Sequence, residues 1–288
     1  MKAHLLYLVA GIATASATPL ISRSSTTYFF TFGNSYTKSG FDITGDQPSR
    51  ANPMGNPAIG SNTSSGGPNW VGYLTATYNE SLVLNYDLAV GGATIDNELV
   101  NDEVKDMTHQ VADFKSAYGK GPWDGDNTLF AFWIGINDIG RSYKTNNSST
   151  LVPKLIKHYE NVVDEVYATG GRKFLFLNVP ATTRTPKIIG EGKTKQHAAW
   201  VSAYNDALKT MAKSFNDDHK DAKVVVYDSW SFMSKILDSP QEHGFKDSVC
   251  QDKHGVSCVW YNDYHPGKKY HQLQAKDMKQ HLEAFGGW

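Results

Sequence analysis

Hydrophobic runs and polar loops alternate along the chain, and this pattern predicts a series of strands and helices. Five short runs are rich in aromatic or β-branched residues, which is typical of buried strands. They cover residues 27–32, 82–86, 128–134, 173–179 and 223–227. Helices are expected over residues 70–78, 152–168, 195–215, 229–237 and 268–285. Residues 45–69 are rich in Gly, Pro, Asn and Ser, and therefore predict a long loop.

Strands separated by helices indicate βα units and a parallel sheet that is covered on both faces. Five strands fit the flavodoxin-like order 2-1-3-4-5 better than an eight-stranded barrel. The predicted fold class is therefore α/β, a three-layer α/β/α sandwich around a five-stranded parallel sheet. Ligands bind such sheets outside the carboxyl ends of the strands, so the residues that follow each strand are candidates for a site.

The N-terminus has the features of a secretory signal peptide. Lys2 precedes an apolar run from Leu5 to Ala13, and small residues follow up to Ala17. We expect cleavage after Ala17, with residues 1–17 as the signal peptide and residues 18–288 as a single domain. A membrane anchor or a first core strand is the alternative, but the run is short for a membrane span. The protein is therefore expected to be secreted and extracellular.

In an oxidising, extracellular location, two further features of the sequence can be interpreted. Cys250 and Cys258 are expected to form a disulfide that closes a short loop. Four asparagines lie in N-x-S/T sequences and are candidates for glycosylation, which suggests a eukaryotic glycoprotein. They are Asn62, Asn79, Asn146 and Asn147.

Composition excludes several classes of protein. A hydrophobic fraction of 40% with a net charge of −1 excludes a disordered chain, and 288 residues can bury a full core. The 28 Lys and Arg against 29 Asp and Glu argue against a nucleic-acid partner. Neither the histidines nor the cysteines have metal-ligand spacing. We therefore expect no metal, no cofactor, no nucleic acid or membrane partner, and a monomer.

Candidate reactive groups follow the predicted strands. Ser35 comes after the first strand, Gly92 after the second and Asn137 after the third. His265 lies late in the chain, after the predicted disulfide loop. A hydroxyl, a glycine turn, an amide and an imidazole are thus expected to meet at one edge of the sheet.

These groups suit acyl transfer. A serine hydroxyl needs a neighbouring base to take its proton, and an imidazole titrates near neutral pH. Ser35 is therefore the predicted nucleophile and His265 the predicted base. The tetrahedral intermediate also needs hydrogen-bond donors for its oxyanion. The backbone N–H groups of Ser35 and Gly92 and the side-chain amide of Asn137 are the predicted donors.

At these positions the sequence resembles the SGNH or GDSL hydrolases. Its four blocks are FTFGNSYTKSGF, LAVGGATID, FWIGINDIG and WYNDYHPG, which are most similar to fungal secreted acetylesterases of carbohydrate esterase family sixteen. The resemblance covers nearly the whole mature chain. It implies a flavodoxin-like sandwich and ester hydrolysis by Ser35 and His265. It also implies a substrate with acetyl groups on plant cell-wall saccharides.

The chain departs from the family pattern in two places. In the Gly-Asp-Ser-Leu sequence of the family, Asn34 replaces the aspartate and Tyr36 replaces the leucine, on either side of Ser35. The acid that the family places three residues before the histidine is replaced by Asn262, and Asp263 lies one residue out of register. The third catalytic member can therefore be Asp263, Asn262 or a backbone carbonyl. Asp263 is favoured because it alone carries a charge.

Aromatic residues near the predicted site are candidates for a substrate-binding wall, because aromatic faces stack on sugar rings. Trp260 and Tyr264 flank the histidine region, and Trp70 follows the long loop. Trp133 lies within a strand, which favours a place in the core.

Three alternatives remain beside an acetylesterase. A lipase or lysophospholipase of the same superfamily would need a long apolar lid or tunnel. A saccharide-binding protein on a degenerate hydrolase scaffold is suggested by Asn262 at the position of the acid. An adhesive or structural glycoprotein is supported only by the glycosylation sequences.

Overall fold

A computed structural model describes residues 26–100 and 102–288 of the chain. The predicted signal peptide lies outside the described residues. The structure contains a five-stranded, fully parallel sheet in the order β2-β1-β3-β4-β5, which confirms the predicted fold class. The strands are β1 Thr27–Gly33, β2 Val83–Asp87, β3 Thr128–Trp133, β4 Lys173–Leu177 and β5 Lys223–Tyr227.

Helices cover both faces of this sheet. The helix α1 packs against α9, while α3, α5 and α7 pack side by side. In chain order they are α1 Trp70–Ala76, α2 Asn97–Val100, α3 Met107–Tyr118, α4 Ile136–Ser142, α5 Ser148–Ala168, α6 Pro186–Gly190, α7 Thr194–Asp218, α8 Ser229–Asp238 and α9 Lys268–Leu282. Helices α2, α3, α4 and α6 were not predicted from the sequence. Helix α3 turns the polar residue Gln110 towards the protein interior, which weakens its helical pattern.

Rows of phenylalanine rings hold the centre of the sheet in register. Phe32 on β1 stacks on Phe132 of β3 with ring centroids 4.7 Å apart, and Phe132 lies 5.8 Å from Phe176 of β4. All three rings are buried. This pairing brings the end of β1 level with the end of β3, where Gly33 pairs with Trp133.

The close approach at this point requires glycine. Gly33 has φ +147°, and a Cβ atom there would lie only 2.3 Å from the carbonyl oxygen of Trp133. The chain can therefore leave the sheet immediately before Ser35. Within the described part of the chain, every helix is too short or too polar to cross a membrane.

Candidate active site

The turn that carries Ser35 is held by polar contacts from two sides. The Oδ1 atom of Asn34 accepts the Tyr36 N–H at 3.1 Å, which closes a local turn around the serine. On the opposite side, the Gln110 amide pairs with both backbone groups of Gly33: it accepts the N–H at 2.8 Å and donates to the carbonyl at 2.9 Å. Ser35 itself is half-buried. The turn thus presents a fixed and accessible hydroxyl.

His265 lies against that hydroxyl, although 230 positions separate the two residues. Its Nε2 atom is 2.7 Å from Ser35 Oγ, so the serine O–H can donate to a neutral imidazole. Burial lowers the pKa of His265 from 6.5 to about 4, because a charged ring would lose its hydration, and the Asp263 charge opposes this shift. The imidazole is therefore neutral and able to accept a proton in mildly acidic and neutral solution.

The other ring nitrogen of His265 faces Asn262. The Asn262 Oδ1 atom accepts the Nδ1–H at 3.0 Å, and it also accepts the backbone N–H groups of His265 at 2.8 Å and Tyr264 at 2.9 Å. This contact selects the tautomer in which Nε2 is free to act as a base. One side-chain oxygen thus fixes both the turn and the ring.

Asp263 was favoured as the partner of the imidazole, and its position corrects that expectation. Asp263 is exposed, and no hydrogen bond joins its carboxylate to His265 among the described residues. Its main-chain carbonyl instead accepts the Lys187 N–H of α6 at 2.9 Å. Asn262 closes the turn and presents its Oδ1 to the imidazole, whereas the next side chain, that of Asp263, is exposed to solvent.

The change from the family's aliphatic residue to Tyr36 also has a structural consequence. Tyr36 is fully buried, and its hydroxyl donates to the main-chain carbonyl of Tyr264. Burial raises the pKa of this phenol well above 10, so the hydroxyl remains protonated and able to donate. The residue after Ser35 thus contacts the residue before His265.

Gly92 and Asn137 lie on segments that are tied to each other and to β1. The Nδ2 atom of Asn137 donates to the Ala93 carbonyl at 2.8 Å, which leaves its second amide hydrogen available for another acceptor. Val90, two residues before Gly92, donates its N–H to the Gly33 carbonyl at 3.1 Å. Gly92 has φ +87°, which favours glycine. Both candidate oxyanion donors are half-buried at the carboxyl edge of the sheet.

Two titratable residues of α4, Asp138 and Arg141, connect this helix to the segment that carries Gly92. Asp138 is fully buried and accepts the Ile95 N–H at 3.0 Å, while Arg141 donates to the Gly92 carbonyl at 2.8 Å and pairs with Asp102. Burial raises the pKa of Asp138 to about 7. Its side chain therefore links the first turn of α4 to the segment that follows the glycine loop.

Comparison with known proteins places the chain in a family. The model of the GDSL-like Lipase/Acylhydrolase family matches residues 29–278. The chain belongs to that family. It is 36% identical over 282 residues to an acetylesterase of Thermothelomyces thermophilus, covering 94% of this chain and 93% of the relative. An acetylesterase of Hypocrea jecorina is 26% identical over 300 residues, covering 83% of this chain and 84% of that protein.

Solved structures agree on the fold. An acetylxylan esterase from Geobacillus stearothermophilus superposes with a TM-score of 0.53 at 15% identity, covering 92% of this chain and 96% of the other. A GDSL-like lipase structure from Parabacteroides merdae gives a TM-score of 0.54 at 12% identity, over 93% and 100% of the two chains. The family match and the relative at 36% identity confirm the predicted superfamily, and the protein is a carboxylic ester hydrolase.

The predicted binding wall of this GDSL hydrolase needs correction. Trp70 and Trp260 have no exposed surface, and the Trp260 indole donates to the Ser248 carbonyl at 2.8 Å. Both are core residues, because burying such large rings removes much apolar area from water. Trp133 is buried as well, as expected. Tyr264 is half-buried and remains a candidate for contact with substrate.

The predicted disulfide is present, with the Cα atoms of Cys250 and Cys258 5.5 Å apart. Of the candidate glycosylation sites, three are exposed and Asn79 is half-buried with its amide donating to the Ser81 carbonyl at 2.8 Å. The exposed sites are Asn62, Asn146 and Asn147. Within the described residues, no cluster of three or more His, Cys, Asp or Glu side chains could hold a metal ion.

Two positioning residues, Gln110 and Arg141, were not predicted from the sequence. Gln110 is 77 residues from Gly33, and Arg141 is 49 residues from Gly92. Neither lies at a motif position that would have singled it out. A polar residue on the inner face of a helix is the one signal that could have identified Gln110.

Proposed function

We propose that this GDSL hydrolase is a secreted acetylesterase that removes O-acetyl groups from plant cell-wall saccharides. The 2.7 Å contact between Ser35 Oγ and His265 Nε2 carries the proposal, since it joins a nucleophile to a base. The acetyl specificity is supported by the name of the relative at 36% identity. Secretion is supported by the N-terminal sequence, and the saccharide by the resemblance of the four blocks.

In the first step, Ser35 Oγ attacks the acetyl carbonyl carbon while its proton passes to His265 Nε2. The carbonyl π electrons move to the oxygen and form a tetrahedral oxyanion. The backbone N–H groups of Ser35 and Gly92 and the free Nδ2 hydrogen of Asn137 donate to it. The intermediate then collapses, the bond to the sugar oxygen breaks, and His265 returns the proton to that oxygen.

The second step releases acetate from the acetylated Ser35. Water attacks the acetyl carbon, and His265 takes a proton from that water. A second oxyanion forms in the same hole, and its collapse returns the proton to Ser35 Oγ. Asn262 accepts the Nδ1–H throughout and holds the ring in place. Being neutral, it stabilises the imidazolium less than a carboxylate would.

Substitution of Ser35 by Ala tests the nucleophile. We expect hydrolysis of 4-nitrophenyl acetate to fall by on the order of 10³-fold or more with the fold intact. Thr108→Val is a matched control, because the Thr108 hydroxyl also contacts an imidazole, His158 Nε2, at 2.8 Å. That variant should keep its activity. Full activity in the Ser35 variant would overturn the assignment.

Substrate class needs its own measurement. A series of nitrophenyl esters should show a steep loss of kcat/KM beyond butyrate, and acetate should be released from acetylated xylan. A preference for long acyl chains would instead identify a lipase or lysophospholipase. Saccharide binding without turnover of any ester would identify a binding protein on a degenerate scaffold.

A further inference from the structure

A second concave site lies away from Ser35. A cavity of about 760 Å³ opens between α7, the end of edge strand β5 and the start of α8. None of the five residues assigned to catalysis lines it. Its volume is in the range of small-molecule sites. It lies beside the carboxyl ends of β4 and β5, the same edge of the sheet that carries the active site.

An exposed indole forms part of this cavity. Trp230 is 45% exposed, whereas Trp70, Trp133 and Trp260 are buried. Its backbone N–H donates to Asn178 Oδ1 at 3.0 Å, so the start of α8 is anchored to the end of β4. An exposed tryptophan beside a concave surface is typical of a ligand-stacking residue, because its ring offers a large rigid face.

The rest of the lining combines apolar and polar groups. Ala181, Val201 and Val226 supply apolar surface around the indole. Two cations and two carboxylates surround them, so the site has donors, acceptors and no strong net charge. They are Arg184, Lys209, Asp206 and Asp228. This mixture suits a neutral polyhydroxylated ring with one apolar face, which is the chemistry of a pyranose, better than an acyl chain or a charged peptide.

The cavity is within reach of the active site. Arg184 lines it, and Lys187, three residues later, donates its N–H to the Asp263 carbonyl at 2.9 Å. His265 follows two residues after Asp263. The path runs from Arg184 to Lys187, across the hydrogen bond to Asp263, and on to His265. Even with every residue fully extended, it separates the Cα atoms of Arg184 and His265 by no more than roughly 25 Å. An extended chain of several sugar residues could therefore occupy both places.

We propose that this cavity, which we name the Trp230 groove, binds an unacetylated stretch of a saccharide chain whose acetylated residue lies at Ser35. The inference rests on the proposed function and deepens it, since it assigns a polymeric substrate. Trp230 stacks on a sugar ring, and the charged side chains of the groove bind its hydroxyl groups. The groove should contribute to affinity for polymers and not to the chemical step on small esters.

Binding tests the groove without turnover. In the Ser35→Ala background, isothermal titration with xylohexaose and with mannohexaose is compared before and after Trp230→Ala. We expect at least one saccharide to bind and its Kd to rise about tenfold in the double variant. Val249→Ala, which changes another exposed hydrophobic residue outside the groove, should leave the Kd unchanged. Absence of binding, or equal binding with and without Trp230, overturns the proposal.

A second variant tests the groove while keeping the Trp230 indole, so its result does not depend on whether Trp230→Ala folds. Ala198 lines the groove from α7, whereas the neighbouring Ala199 is also exposed but does not line it. Ala198→Phe should fill the groove and raise KM on acetylated xylan about tenfold, while kcat and 4-nitrophenyl acetate hydrolysis stay within about twofold. Ala199→Phe should change none of these values. Equal effects of the two phenylalanines would overturn the assignment.

The outcomes separate this proposal from the proposed function. If the wild-type enzyme hydrolyses 4-nitrophenyl acetate but releases no acetate from saccharides, the assigned substrate class fails. The titrations then still decide whether the groove binds sugar. If the wild type is a dimer in solution and Trp230→Ala makes it monomeric, the groove is an interface between copies, and the saccharide proposal is wrong.

Discussion

The hydroxyl of Tyr36 and the carbonyl of Tyr264 are joined by a hydrogen bond that spans 228 positions of the sequence. It joins the residue after the proposed nucleophile to the residue before the proposed base. The separation between Ser35 and His265 therefore depends on a buried contact that takes no part in the chemistry. Tyr264 in turn donates from its own hydroxyl to the Ile136 carbonyl at 3.4 Å, so the turn also reaches α4.

Replacement of Tyr36 by Phe should separate positioning from chemistry. It leaves the Tyr264 carbonyl without this donor, so we expect a loss of about 1–3 kcal/mol in the free energy of unfolding. Loosening of the His265 turn should lower kcat/KM about tenfold or more. Tyr227→Phe is the control, because its hydroxyl donates to Asp277 at 3.0 Å, on the β5 and α9 side of the sheet. If both variants keep full activity, the tether does not position the base.

Substitutions at Asn262 should identify the third catalytic member. Asn262→Ala removes the acceptor for Nδ1–H, and we expect kcat/KM to fall by about 10²-fold or more. Asn262→Asp keeps the acceptor and adds a negative charge. That change should raise the pKa of His265 by about 1–3 units and move the acid limb of the pH–rate profile upward by the same amount.

The exposed neighbour Asp263 supplies the comparison. Asp263→Asn removes its charge without removing a contact to the ring, so kcat/KM should stay within about threefold of wild type. A large loss at Asp263 with little effect at Asn262 would reverse the two roles.

The pH dependence of the wild-type enzyme follows from the lowered pKa of His265. The base must be neutral, so kcat/KM should fall only as pH drops through about 4, with a plateau from about pH 5 to 7. Acetate release from acetylated saccharide measures this without an ionising chromophore. A midpoint near 6.5 would show that the ring is as solvated as a free histidine.

The same shift affects stability. The unfolded chain protonates this histidine near pH 6.5, before the folded protein does. The folded state therefore loses stability as pH falls from about 6.5 towards 4.

Asp138 should act in the opposite direction. Its folded-state pKa is raised to about 7, so the stability that it contributes is fully present below its unfolded pKa of about 3.9 and is lost as pH rises through 7. An amide at this position would keep the shape of the carboxyl group but would not titrate. We therefore expect Asp138→Asn to gain stability relative to wild type between pH 5 and pH 8, measured by urea unfolding. Parallel stability curves for the two proteins would contradict this prediction.

Strand positions were predictable because the interior strands of a parallel sheet are buried on both faces. The continuous apolar runs at β3 and β4 therefore identify strands directly, and the order of the sheet follows once five βα units are counted. Helix α3 and the short α4 were missed for the opposite reason. Their inward residues Gln110 and Asp138 are polar, and each is buried only because a distant backbone group pairs with it.

The aromatic residues illustrate a second difference. Seven tryptophans are visible in the sequence, but their exposure is decided by packing. Trp260 adjoins the histidine turn and was predicted to bind substrate, yet it is buried. Trp230 was not singled out, although it is exposed beside a cavity. Neighbours in sequence do not reveal which face of a turn is covered.

By itself, the sequence determined the strand pattern and the sheet order and singled out Ser35, Gly92, Asn137 and His265 as candidates, because hydrophobic periodicity and side-chain chemistry are local properties. Only the tertiary structure decided that Asn262 rather than Asp263 contacts the imidazole, that Tyr36 tethers the His265 turn and that Trp230 lines a groove. Those outcomes depend on distances between segments far apart in the chain, which arise only when packing brings them together.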